Sequence, residues 1–163
     1  MQDAIPVLSS EERLATAEQI VRKHMYCAAG IGCIPVPIVS LIGVAGFQAA
    51  MVKELSNHYG VKFNDHLVRN IVLALIGSLT HRVVSAGVVG GLFKFIPGMA
   101  AAILSVLAVP AVAGGLTYAM GRVFIKHFED GGTLLDLNVA KSKDFFQAQY
   151  KVGQKAAATP AAA

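Results

Sequence analysis

From Tyr26 to Val52 the chain runs for 27 residues without a charged side chain, and Pro35 and Pro37 interrupt that run. As one straight helix it would reach about 40 Å at roughly 1.5 Å per residue. A proline inside a helix removes a backbone donor and clashes with the preceding turn. The stretch therefore predicts a helical hairpin bent at Cys33-Ile34-Pro35-Val36-Pro37. A second uncharged run, Phe95 to Gly121, also spans 27 residues and carries its own breaker at Pro97-Gly98, with Pro110 expected to kink it. The two runs read as an approximate duplication, two Pro-bent apolar hairpins packing into a four-helix unit.

Such runs need cover. The chain is 55% hydrophobic and 15% charged with a mean hydropathy of +0.57, well beyond an ordinary soluble domain of 163 residues. Lipid, a partner or other copies of the chain must take up the excess. The net charge of +4 does not indicate nucleic acid, because the basic residues are scattered among apolar segments and form no patch interleaved with aromatics. Attraction to anionic headgroups suits them better. Cys27 and Cys33 lie six apart in one apolar arm, too poorly placed for a disulfide, and are expected as small buried apolar residues. MQDAIPVLSSEER has no basic segment leading into an apolar core, so no secretory signal is expected and the chain reads as facing the cytoplasmic (inner) membrane.

The flanking segments predict amphipathic helices. Residues 1–9 form an N-terminal extension, and Ser9 or Ser10 can cap a first helix with Glu11 and Glu12 at its positive end. Leu14, Ala17, Val21, Met25 and Ala28 form its apolar stripe. A span from Pro37 to Tyr59, stopped by Gly60, is long enough to cross a roughly 30 Å hydrocarbon layer. Asn64 or Asp65 can cap the next helix, which carries Leu67, Ile71, Leu75 and Leu79 towards Phe95 and is divided by His81 and Arg82. Gly131-Gly132 closes the apolar domain of residues 10–130; residues 131–155 predict an amphipathic surface helix, from Thr133 to Val152, and 156–163 a frayed tail.

Few residues suggest chemistry. Gln48 and Glu54 sit in the apolar arm after the first bend, where a polar group faces the protein interior or a water-filled cavity; Gln48 is expected to make an interhelical hydrogen bond. Arg82 needs a partner or water in an apolar layer: Glu54 is the candidate partner, and the alternative is that His81 and Arg82 lie at the membrane edge or in a solvated break. No two of the five histidines have the i, i+4 spacing and supporting carboxylate of a helical zinc site, and no serine or cysteine has an activating context. The expectation is a protein that is not an enzyme, with no cofactor and no metal. Arg22, Lys23, Lys53, Lys62, Arg69, Arg122 and Lys126 gather at the open ends of the two hairpins, which by the positive-inside tendency places those ends and both termini in the cytoplasm.

Ile34-Pro35-Val36-Pro37, Gln48, Met51, Glu54-Leu55, Tyr59-Gly60, Phe95-Ile96-Pro97-Gly98, Thr117-Tyr118, Gly121 and Phe128 together resemble the DUF697 family over residues 25–130. That family contains YcjF-like inner-membrane proteins and domains fused behind a GTP-binding domain. The resemblance implies a GTPase-associated helical membrane module and no named reaction. Its matching positions, Pro35, Pro37, Gln48, Glu54, Tyr59, Gly60, Pro97, Gly98, Tyr118 and Gly121, are with Arg82 the candidate functional residues. The chain has no G-x-x-x-x-G-K-[ST] run, so any nucleotide dependence would come from a GTPase partner. The first expectation is thus a non-enzymatic membrane anchor or scaffold. A soluble or peripheral homo-oligomer burying the same apolar faces is the alternative, and a pore-forming helical domain is the third.

Overall fold

A computed structural model describes the backbone of residues 9–32, 41–85 and 98–158, with side chains for 9–30, 45–79 and 111–158. Among the described residues there are five helices and no strand: α1 Ser10–Gly32, α2 Leu41–Tyr59, α3 Asp65–Ser85, α4 Gly98–Glu129 and α5 Val139–Ala158. The fold is all-α, as expected.

Local chemistry sets the helix ends. Ser9 Oγ accepts the Glu12 N–H at 3.2 Å while Glu12 Oε2 accepts the Ser9 N–H at 2.9 Å, a reciprocal capping box that starts α1. At the end of α2 the Val61 N–H donates to the Ser56 carbonyl and the Gly60 N–H to the Asn57 carbonyl. This is a Schellman closure, and it requires the left-handed backbone that Gly60 adopts at φ 68°. The same device closes α4: Gly132 N–H donates to His127, Gly131 N–H to Phe128, and Gly131 has φ 81°. Asn64 and Asn138 then cap α3 and α5 through their side-chain oxygens.

The core lies around α4. Val21, Met25, Met51, Leu55, Leu75, Met120, Phe124 and Phe146 are fully or almost fully buried and come from all five helices. The α1 stripe is buried at Ala17, Val21, Met25 and Ala28, whereas Leu14 at its start is 36% exposed. Two packing surfaces dominate, α4 against α5 and α4 against α1. Both rely on missing side chains. A methyl added to Gly121 would run into Val21 of α1, one on Gly115 would run into Gln154 of α5, and one on Gly153 of α5 would run into Tyr118.

Several expectations change here. Among the described residues α1 makes its largest packing surface with α4. α3 continues through His81 and Arg82 without a break. α5 starts at Val139, not Thr133, because Asp136 Oδ1 accepts both the Thr133 N–H (2.6 Å) and its hydroxyl (2.8 Å). That local turn competes with helix formation. At its other end α5 includes Ala156 to Ala158, which were expected to fray; residues 159–163 lie outside the described residues. Cys27 is exposed, because it sits two residues past Met25 on the opposite side of α1 from the stripe; Cys33 lies outside the described residues. Among the residues described, no helix is long and apolar enough to cross a membrane. The predicted span from Pro37 to Tyr59 is described as a helix only from Leu41, with side chains only from Ala45.

Candidate functional site at the charged end of the bundle

Because α1 and α3 run one way and α2 and α4 the other, the start of α1 and the ends of α2 and α4 meet at one end of the bundle. There the Tyr59 hydroxyl donates to Glu129 Oε1 at 2.6 Å, and Arg13 reaches the same carboxylate through Nη2 at 3.3 Å and Nε at 3.4 Å. The Arg13 guanidinium also stands 5.6 Å from the centre of the Tyr59 ring, within cation–π range. His58 Nε2 lies 2.8 Å from the Arg13 carbonyl, the geometry of an N–H donor to that oxygen.

The electrostatics are those of a clasp. Burial and the neighbouring Glu129 carboxylate hold the Tyr59 hydroxyl far above its ordinary range, so it stays protonated as a donor. The Tyr59 hydrogen bond, aided by Arg13, holds Glu129 below the usual carboxylate range, so it stays charged as an acceptor. Neither group is set up to give or take a proton near neutral pH. What the arrangement does is fix three helix termini together.

Three further links rise along the bundle from this clasp. Arg122 of α4 pairs with Glu18 of α1. One turn further, Lys23 and His24 of α1 approach Glu54 of α2 at 3.4 and 3.7 Å. Beyond them Gln48 donates through Nε2 to Thr117 Oγ1 at 2.8 Å, and both side chains are buried. The interhelical hydrogen bond expected of Gln48 is therefore present. Its Oε1 is buried with no partner, as is Ser56 Oγ.

The candidate residues divide accordingly. Gln48, Glu54 and Tyr59 are interhelical links, Gly60 closes α2, Gly121 admits Val21, and Tyr118 packs on Gly153. Gly98 is the first residue of α4. Glu54 takes its described partners from α1, Lys23 and His24, where Arg82 was expected. The backbone of Arg82 is in α3, but its side chain, with Pro35, Pro37 and Pro97, lies outside the described residues. Sequence reasoning missed Arg13, Glu18 and Glu129. Each pairs with a residue 104 or more positions away, and an isolated charge in a helix gives no sign of such a partner. No group of three or more His, Cys, Asp or Glu side chains placed to hold a metal ion occurs among the described residues.

The model of a family described as "Domain of unknown function (DUF697)" matches residues 2–155. The chain is 31% identical over 153 residues to magnetosome membrane protein 22 of Magnetospirillum gryphiswaldense, an alignment covering 94% of this chain and 78% of that protein. No solved structure matches. The chain belongs to the DUF697 family.

Proposed function

We propose that the protein is a non-enzymatic membrane-associated module, seated in the cytoplasmic membrane by the end of its bundle away from the clasp, with the clasp end and both termini in the cytoplasm. The observation that carries this reading is the segregation of charge along the bundle axis. Beyond the Lys23–Glu54 link, α1, α2 and α4 have no charged residue in the direction away from the clasp, and α3 carries one acid or base near its far end, Arg82. α5 as described ends beside Gly114, whereas α4 extends through residues 98–113, about 24 Å further at roughly 1.5 Å per residue. An uncharged projection of that length matches most of a roughly 30 Å hydrocarbon layer. The relative named as a magnetosome membrane protein supports association with a membrane. Family likeness adds a GTPase as the protein that the cytoplasmic end would serve, with this chain acting as its anchor or scaffold.

The test is extraction of expressed full-length protein from membranes by high salt, alkaline carbonate and then detergent. Resistance to the first two is the expected result. In the Cys33→Ser variant, Cys27 should react with a maleimide in detergent and be protected in membranes, since it lies just on the apolar side of Lys23. Release by carbonate, or a defined oligomer in the absence of detergent, would replace this reading with the homo-oligomeric one. A GTPase that co-purifies in a nucleotide-dependent manner would support the partner assignment.

A further inference from the structure

Arg22, Lys23, Lys53, Lys151 and Lys155 are all exposed, and they fall at nearly one level of the bundle. That level is set by contacts across the helices: Val21 against Gly121, Lys23 against Glu54, Tyr118 against Gly153 and Gln154 against Gly115. In α1, α2, α4 and α5 it is the last charged level in the direction away from the clasp; Arg69 and Arg82 of α3 reach further. The carboxylates there, Glu18 and Glu54, are already engaged by Arg122 and by Lys23. The band is therefore strongly positive where the proposed membrane surface lies.

One place in the band is more than diffuse charge. A slot of about 20 Å³ is lined by Glu18, Val21, Arg22, Tyr118 and Arg122. The Arg122 guanidinium spends Nη1 on Glu18, and its Nε is buried with no hydrogen-bond partner. A space of that volume holds one oxygen atom, about the size of a water. Arg22 lines the slot from α1 and Arg122 from α4, the Glu18 carboxylate in its lining is neutralised by Arg122, and a guanidinium N–H without an acceptor is satisfied well by a phosphate oxygen.

We infer that this slot, between Arg22 and Arg122, seats a phosphate oxygen of an anionic phospholipid headgroup, and that the surrounding band supplies the preference for anionic lipid. The inference rests on the membrane seating proposed above. Charge complementarity selects this occupant: the cations in excess face the level where headgroups would lie, and a single phosphoryl oxygen fits the slot.

Flotation of the full chain with vesicles of phosphatidylcholine alone, or mixed with phosphatidylglycerol, tests it. The expected result is tighter binding to the mixed vesicles. Arg22→Gln should lower that preference roughly fivefold, the effect of one basic residue near an anionic surface, while binding to phosphatidylcholine is unchanged. Arg122→Lys keeps the charge and removes Nε, and should also lower the preference with helical content intact. Arg22 is exposed, so its variant stays informative even if the Arg122 variant misfolds. Equal binding to both vesicles overturns the inference and leaves the seating intact; binding to neither overturns both. Full preference in Arg122→Lys means that the slot holds only water, and the seat is refuted. Loss of the preference in inorganic phosphate but not in chloride of equal ionic strength would assign the slot to free phosphate and refute the lipid.

Discussion

Gly121→Ala is the sharpest test of how α4 meets α1. A Cβ on Gly121 would stand 2.6 Å from Val21 Cγ1, closer still to Cγ2, and 3.0 Å from Val21 Cβ. Carbon atoms attract best at about 3.5–4.0 Å, so the helices must separate by about 1 Å or Val21 must turn. Turning is costly, because a β-branched side chain has one strongly preferred rotamer in a helix and Val21 is only 1% exposed. Overpacking costs about 1–3 kcal/mol, and contacts this short against a buried β-branched side chain fall in the upper part of that range, about 2–3 kcal/mol. Against it, alanine is favoured over glycine inside a helix by about 1 kcal/mol. The clash wins by about 1–2 kcal/mol. For a chain of this size that lowers the midpoint of thermal unfolding by about 2–8 °C, followed by circular dichroism in one fixed detergent. Val21→Ala removes the two obstructing methyls and alone costs about 1.6 kcal/mol, at ~0.8 per carbon. In the double variant the new methyl occupies the vacated space, so the pair should be more stable than the sum of the singles by about 1 kcal/mol or more. A Gly121→Ala protein at or above the wild-type midpoint, or strict additivity, would refute this packing.

Three other outcomes follow from the same geometry. Thr117→Val leaves the buried Gln48 amide without its acceptor and should cost about 1–3 kcal/mol, while adding Gln48→Leu should recover part of it in denaturant titrations. Gly60→Ala forces a side chain into the left-handed backbone at φ 68° and should cost about 1–2 kcal/mol, with Gly60→Asn milder by the same assay. Glu129 has a folded-state pKa below its unfolded value, so its contribution is complete above the unfolded value and is lost as pH falls through the folded one. The stability difference between wild type and Glu129→Gln should therefore be constant near neutrality and shrink on acidification below about pH 4.5, near the ordinary glutamate value; Tyr59→Phe raises the folded value towards the ordinary one, so the loss should be smaller and complete at a higher pH.

What could be read in the sequence was whatever local chemistry dictates. The α1 start follows from Ser9 and Glu12, the α2 stop from Gly60 and the α3 cap from Asn64, all within four residues of what they control. The buried stripe of α1 follows from spacing alone, and it failed only at Leu14, near a helix end with little to pack on. Pairing between helices was not legible. Up to Gly121 α4 carries no charge, and nothing in its period states that α1 and α5, and not α3, will cover it. The signal was present in the small residues Gly114, Gly115 and Gly121, which mark where another helix comes close, but glycine does not name its partner. The α5 boundary was missed for a related reason: Leu134 and Leu137 have helical spacing and are buried, yet Asp136 ties the backbone at Thr133 into a turn.

The distribution of charge pairs bears on function more than any single residue does. Near the clasp, attraction is spent inside the bundle: Glu129 holds Arg13 and Tyr59, Glu18 holds Arg122, and Asp130 holds Lys126. At the band above, Arg22, Lys53 and Lys151 make no ion pair among the described residues, although Lys53 lies 5.9 Å from the Phe63 ring centre. Surface ion pairs add little to stability, typically ~0–1 kcal/mol each, so the unequal use of carboxylates is not explained by folding. An anionic surface would distinguish the two levels. It would gain little from a region whose charges are already matched and much from one whose cations are in excess. Charges left over at the foot of an uncharged projection orient the bundle on such a surface, with the projection inward and the clasp outward, and do so without a reaction.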